Sequence, residues 1–96
     1  MDETDKNYQE LKQLQKERNI KFEELRKLWQ NFLICENSVN VAERKQLSEH
    51  TVLGTMVKRK DVEIQILQCD IQIIRIEQRL LKLSKLLNLS SDMVLR

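Results

Sequence analysis

Apolar residues recur at alternating spacings of four and three between positions 62 and 87. The positions are Val62, Ile66, Cys69, Ile73, Ile76, Leu80, Leu83 and Leu87. This heptad rhythm places all eight side chains on one face of an α-helix. The β-branched alternation at 62–66 is also typical of a strand, but the rhythm continues for 26 residues without a turn residue, well beyond the usual length of a strand. We therefore predict a helix over residues 56–89.

A second apolar line runs beside the first along the same segment. Its members are Ile64, Leu67, Ile71, Ile74 and Leu81. A two-stranded coiled coil requires only one apolar seam, so a helix with two seams is expected to contact at least two other helices. The pattern predicts a helical bundle, or a larger assembly in which this helix is a central member.

The N-terminal half carries a similar but interrupted seam. Its apolar members are Leu11, Leu14, Leu25, Leu28, Phe32 and Cys35, while Arg18 and Lys21 occupy two intervening seam positions. Phe22 and Trp29 lie beside the seam and widen the apolar stripe. We predict a first helical segment over residues 8–36, preceded by a polar tail over residues 1–7.

The weakest helical signal lies between residues 37 and 55. Asn37, Ser38 and Asn40 compete for backbone hydrogen bonds, and Gly54 lowers helix propensity. Asn40 followed by Glu43 resembles a capping box that would start a new helix. Two all-α folds remain open across the predicted helical region 8–89: one long helix with a kink, or a two-helix hairpin that turns within 37–55. The tail at 90–96 has cap-type residues and then a new apolar start, which raises the hypothesis that the sequence belongs to a longer protein.

Composition agrees with long helices and narrows the function. The 96 residues include no proline and one glycine, 33% are charged and 4% are aromatic, which is the composition of helical rods. The net charge of +2 is too small to favour nucleic-acid binding. Residues 51–96 hold eight Lys or Arg against five Asp or Glu, so an alternative hypothesis is a helical adaptor that binds nucleic acid or a membrane surface through this mildly basic half.

Few residues in the chain could carry chemistry. His50 is the only histidine, and Cys35 and Cys69 are the only cysteines. Their spacing fits neither a zinc site nor a disulfide framework, and a phosphate-binding loop would require more glycine. We expect no catalytic, cofactor or metal site, no small-molecule substrate, no signal peptide and no transmembrane segment. The expected location is intracellular, in the cytoplasm or on the cytoskeleton.

The pattern therefore indicates a non-catalytic scaffolding subunit that assembles with protein partners, or with itself, through helical packing. The residues expected at its interface come from the N-terminal apolar stripe and from the first apolar line of residues 62–87. They are Leu25, Leu28, Trp29, Phe32, Val62, Ile66, Cys69, Ile73, Ile76, Leu80, Leu83 and Leu87. The number of chains and their parallel or antiparallel order are not specified by these seams.

Residues 25–44 also resemble a coiled-coil family of cilia- and flagella-associated proteins. The matching pattern is an aromatic residue, two further residues, Phe-Leu, a short acidic or asparagine step and then basic residues. Here it is formed by Trp29, Phe32, Leu33, Glu36, Asn37, Arg44 and Lys45. The Ile- and Leu-rich segment 62–87 is similar too, whereas Val39, Val41 and Gly54 depart from the family pattern. The resemblance implies a structural rod in an axoneme or a sperm-associated cytoskeleton.

Overall fold

The computed structural model describes residues 2–95, and its helices form a hairpin. They are α1 (Glu3–Arg44), α2 (Glu49–Leu86) and the short α3 (Ser91–Val94), and no residue between 2 and 95 lies in a strand. The two long helices pack against each other. The all-α prediction is confirmed, and of the two folds left open by the sequence, the hairpin is the one adopted.

Helix α1 begins at Glu3, inside the segment 1–7 that the sequence pattern set apart as a tail. The reason is a local cap. The Asp2 carboxylate accepts a hydrogen bond of 2.9 Å from the Asp5 backbone N–H, which satisfies one of the unpaired donors of the first turn. Glu3 and Asp5 add negative charge at the positive end of the helix, and this also favours an early start.

The hairpin turn follows Arg44, later than the capping pattern at Asn40 suggested. Gln46 adopts a left-handed conformation with φ of 53°. Its N–H donates to the Glu43 carbonyl, and the Leu47 N–H donates to the Ala42 carbonyl. This pair of bonds is the Schellman arrangement that ends a helix, here with glutamine at the position usually held by glycine.

Ser48 starts the second helix. Its hydroxyl accepts from the Thr51 backbone N–H at 3.3 Å and contacts the Thr51 hydroxyl at 2.8 Å. The serine thus acts as the N-cap of α2, and Thr51 occupies the position of the glutamate in a usual capping box. The structure therefore places the break at residues 45–48, within the predicted range 37–55.

The chain forms two compact units, and each is described by itself. The turn unit comprises Glu24–Cys69, which includes the end of α1, the turn and the start of α2. Its buried apolar residues come from both helices. They are Val39 and Ala42 from α1, and Val62, Ile66 and Cys69 from α2.

The terminal unit comprises Met1–Glu23 and Asp70–Arg96, so it joins the start of α1 to the end of α2. Its core cluster contains Leu11, Leu80, Leu83 and Val94, surrounded by half-buried Leu14, Ile76, Leu87, Leu89 and Leu95. Helix α2 ends at Leu86, and Asn88 after it adopts a left-handed conformation. The short α3 then places Val94 in this cluster. The segment 90–96, set apart as a tail by the pattern, is thus packed in the structure as far as Leu95.

Candidate protein-interaction surface

The main seam of α2 is covered by the hairpin itself. Of its eight residues, six are buried and two are half-buried within the single chain. The buried residues are Val62, Ile66, Cys69, Ile73, Leu80 and Leu83, and the half-buried ones are Ile76 and Leu87. The heptad that the sequence singled out for an interface therefore forms the intramolecular contact surface of α2.

The interface residues expected on α1 are less enclosed. Leu25, Leu28 and Phe32 are half-buried, and Trp29 is 48% exposed. The Trp29 and Phe32 rings meet edge to face, with centroids 5.6 Å apart and planes inclined by 82°. Because this contact holds the indole in place while leaving about half of it accessible, Trp29 has the features of an interaction hot spot.

The second apolar line of α2 is left exposed by the hairpin. We call it the outer stripe. The turn unit presents Ile64 and Leu67, and the terminal unit presents Ile71, Ile74 and Leu81. All five are between 36% and 61% exposed. Single exposed apolar residues are ordinary, but a regular row of large ones is typical of an interaction surface.

The structure adds two residues to the outer stripe that the sequence analysis did not include. Leu53 and Val57 are exposed as well, and they lie on the same line of the helix. The heptad spacing in the sequence could have identified both residues, because Val57 lies one heptad before Ile64 and Leu53 lies two heptads before Leu67. The polar Lys60 interrupts this line and hid its continuation.

Basic residues near the end of α2 are partly engaged inside the chain. Arg79 donates through Nε to Glu10 Oε1 at 2.7 Å and through Nη2 to Oε2 at 2.9 Å. These hydrogen bonds hold the pKa of Glu10 below its ordinary value, with the charge of Arg79 contributing in the same direction. Arg79 is one of the eight basic residues of the half 51–96, and its guanidinium is thus held by a carboxylate of the same chain.

A small pocket of about 110 Å³ in the turn unit is lined by Cys35, Ser38, Thr55 and Lys58. The two hydroxyls are committed to the backbone: Ser38 donates to the Ile34 carbonyl at 3.1 Å, and Thr55 donates to the Val52 carbonyl at 2.7 Å. Neither is therefore poised as a nucleophile.

Residues 2–95 contain neither a cluster of metal ligands nor a helix of membrane-spanning character. No group of three or more His, Cys, Asp or Glu side chains in this range could hold a metal ion, and no helix within it is long and apolar enough to cross a membrane. No family model, curated protein or solved structure matches the chain at a significant level.

Proposed function

We propose that this chain is a non-catalytic scaffolding subunit that assembles with other protein chains through helical packing. The observation that carries the proposal is the outer stripe of α2. Its residues repeat with heptad spacing but point away from the hairpin, so their apolar area stays in water unless another helix covers it. Trp29 adds a second accessible apolar anchor on α1.

A charge placed on the outer stripe tests this proposal. Ile64→Lys should abolish assembly, because the added charge would be desolvated at the contact. Gln65→Lys is the matched control, since it adds the same charge at the next residue, which is exposed and polar. Both variants should keep the circular dichroism spectrum of the wild-type hairpin.

Assembly is measured by affinity co-purification, in which the tagged chain retains either a differently tagged copy of itself or another protein. The binding is then reproduced with purified components. We expect the wild type and Gln65→Lys to retain the same protein and Ile64→Lys to lose it. If all three chains retain the same proteins, or none, assembly through the outer stripe is refuted.

We further propose that the assembly belongs to a ciliary or other cytoskeletal structure. The support is the resemblance of residues 25–44 and 62–87 to the coiled-coil family of cilia- and flagella-associated proteins. Fluorescent tagging in ciliated cells tests this location. Enrichment along the axoneme is expected, and a signal spread evenly through the cytosol would contradict it.

A further inference from the structure

We propose that the outer stripe binds a second copy of this chain, with the two α2 helices side by side and parallel. The inference rests on the proposed function and specifies the partner and its orientation. The position of the stripe, its residue types and the charges on its two flanks support this arrangement.

The position of the outer stripe excludes its use inside the hairpin. With about 3.6 residues per turn, the stripe lies about 150° around the helix axis from the buried seam. The two apolar lines are therefore on opposite sides of α2, and the expectation that they run side by side is wrong. Within the terminal unit, Ile71 and Ile74 are about half exposed, whereas Ile73 between them is buried. Helix α2 thus packs its buried seam against α1, and its opposite side remains available for contact with another helix.

The residue types of the outer stripe are those of a two-stranded parallel coiled coil. Its two sets of positions alternate along the helix, with steps of three from the first set to the second. The first set holds Val57, Ile64, Ile71 and the polar Gln78, and the second holds Leu53, the polar Lys60, Leu67, Ile74 and Leu81. β-Branched residues at the first core position with leucine at the second favour parallel dimers over larger oligomers. Three of four residues in the first set and three of five in the second follow this rule.

The charges that flank the outer stripe favour the same arrangement. One flank is acidic, with Glu63, Asp70 and Glu77. The other flank begins with Asp61 and Gln68 and becomes basic at Arg75 and Lys82. In a parallel pair, a residue on the first flank faces the partner's residue five positions further along on the second flank. Asp70 would then face Arg75, and Glu77 would face Lys82.

An antiparallel pair would reverse this complementarity. Like flanks face each other in that arrangement, so the acidic flank, including Asp70, would lie against the acidic flank of the other copy. Like charges in such positions are unfavourable. Glu77 already pairs with Arg18 at 3.1 Å within the hairpin, so Asp70 and Arg75 are the charges that chiefly favour the parallel orientation.

The first experiment measures mass. Light scattering after size-exclusion chromatography of the full chain, over a range of micromolar concentrations, should approach twice the chain mass of 11.5 kDa. Ile71→Asp should raise the dimer dissociation constant by at least about 30-fold, since both copies lose a buried contact. Gln72→Asp, with the same charge on the adjacent exposed residue, should change it by less than about threefold.

The second experiment measures orientation. Equal amounts of ¹⁵N-labelled and unlabelled chain are mixed and treated with an amine-reactive cross-linker, and only peptides that combine both isotopes are counted. A parallel dimer gives links from Lys85 to Lys85 of the other copy. Links from Lys85 to Lys58 or Lys60 of the other copy would overturn the parallel arrangement. As an independent check, Asp70→Asn should weaken a parallel dimer about two- to tenfold and would strengthen an antiparallel one.

The outcomes separate this inference from the proposed function. If Ile71→Asp and Gln72→Asp weaken the dimer equally, or if neither weakens it, the dimer forms through another surface and the inference is overturned. A wild-type monomer that binds a different protein through Ile64 also overturns it, while assembly through the outer stripe stands. A wild-type monomer without any stripe-dependent partner refutes both.

Discussion

Arg18 connects all three helices of the terminal unit, and we predict that its replacement by methionine will destabilise the chain. Its Nε donates to Glu77 Oε1 on α2 at 3.1 Å, and its Nη1 donates to the Leu95 carbonyl at the end of α3 at 2.7 Å. The guanidinium carbon also lies 4.7 Å from the centre of the Phe22 ring. Arg18→Met keeps the apolar stem, so the loss of packing is small.

The magnitude follows from these contacts. The charge-assisted bond to the Leu95 carbonyl contributes about 1.5 kcal/mol, because the Arg18 side chain is only 16% exposed. The Glu77 pair contributes about 0.5–1 kcal/mol, since Glu77 is 30% exposed and partly screened. The contact with Phe22 adds about 0.5 kcal/mol. We expect Arg18→Met to lower the free energy of unfolding by about 2–3 kcal/mol.

Urea unfolding followed by circular dichroism measures this change, with Lys16→Met as the control on an exposed position of the same helix. Arg18→Lys should fall between the two, because lysine keeps the charge but cannot donate to Glu77 and Leu95 in the same fork-like way. Amide hydrogen exchange should also accelerate at Val94 and Leu95. An Arg18→Met protein within about 0.5 kcal/mol of wild type, or no less stable than Lys16→Met, would refute the reasoning.

Three further predictions follow from other contacts. Ile73→Ala should lower the free energy of unfolding by about 2–5 kcal/mol, because it opens a cavity at a buried position. The control Ile20→Ala, at an exposed position, should lower it by less than about 0.5 kcal/mol. Equal losses for the two variants in urea unfolding would contradict the assignment of Ile73 to the core. Gly54→Ala should stabilise α2 by about 0.5–1 kcal/mol, since a Cβ there meets nothing within 4 Å, and an unchanged or lower melting temperature would count against this. The pairing with Arg79 lowers the pKa of Glu10 from 4.5, so its stabilisation is present above that pH and is lost as the pH falls through the lower folded value. Glu10→Gln should therefore reduce the melting temperature at pH 7 but not at about pH 2, and a reduction of the same size at both pH values would exclude the ion pair as the cause.

The sequence predicted those features of the fold that depend on apolar periodicity. The heptad from Val62 to Leu87 is buried or half-buried at every position, because a helix with a regular apolar face must cover it. Periodicity does not specify which chain covers that face. Because the chain turns at residues 45–48, α1 covers this face of α2. The residues of 62–87 that were expected at an interface between chains therefore contact a helix of the same chain.

The position of the turn was harder to predict because it depends on weak local signals. Asn40 with Glu43 looked like a helix start, but Val39 and Ala42 are buried beside it, and their packing keeps α1 intact through this point. The helix ends instead at Arg44, and the chain turns at Gln46, which adopts a left-handed conformation without being glycine or asparagine. Ser48 was not predicted as the cap of α2, because Thr51 stands where a usual capping box has glutamate or glutamine.

Because the two apolar lines lie on different sides of α2, folding and the proposed assembly should be separable by mutation, as Ile71 and Ile73 illustrate. They lie two residues apart on one helix, yet Ile73 is 5% exposed and Ile71 is 48% exposed. A polar residue at 73 removes core contacts and should unfold the hairpin, whereas a polar residue at 71 should leave the hairpin intact and weaken only its association. If substitutions at both positions unfolded the chain equally, the hairpin would exist only within the assembly, since the outer stripe would then be as necessary to the fold as the seam.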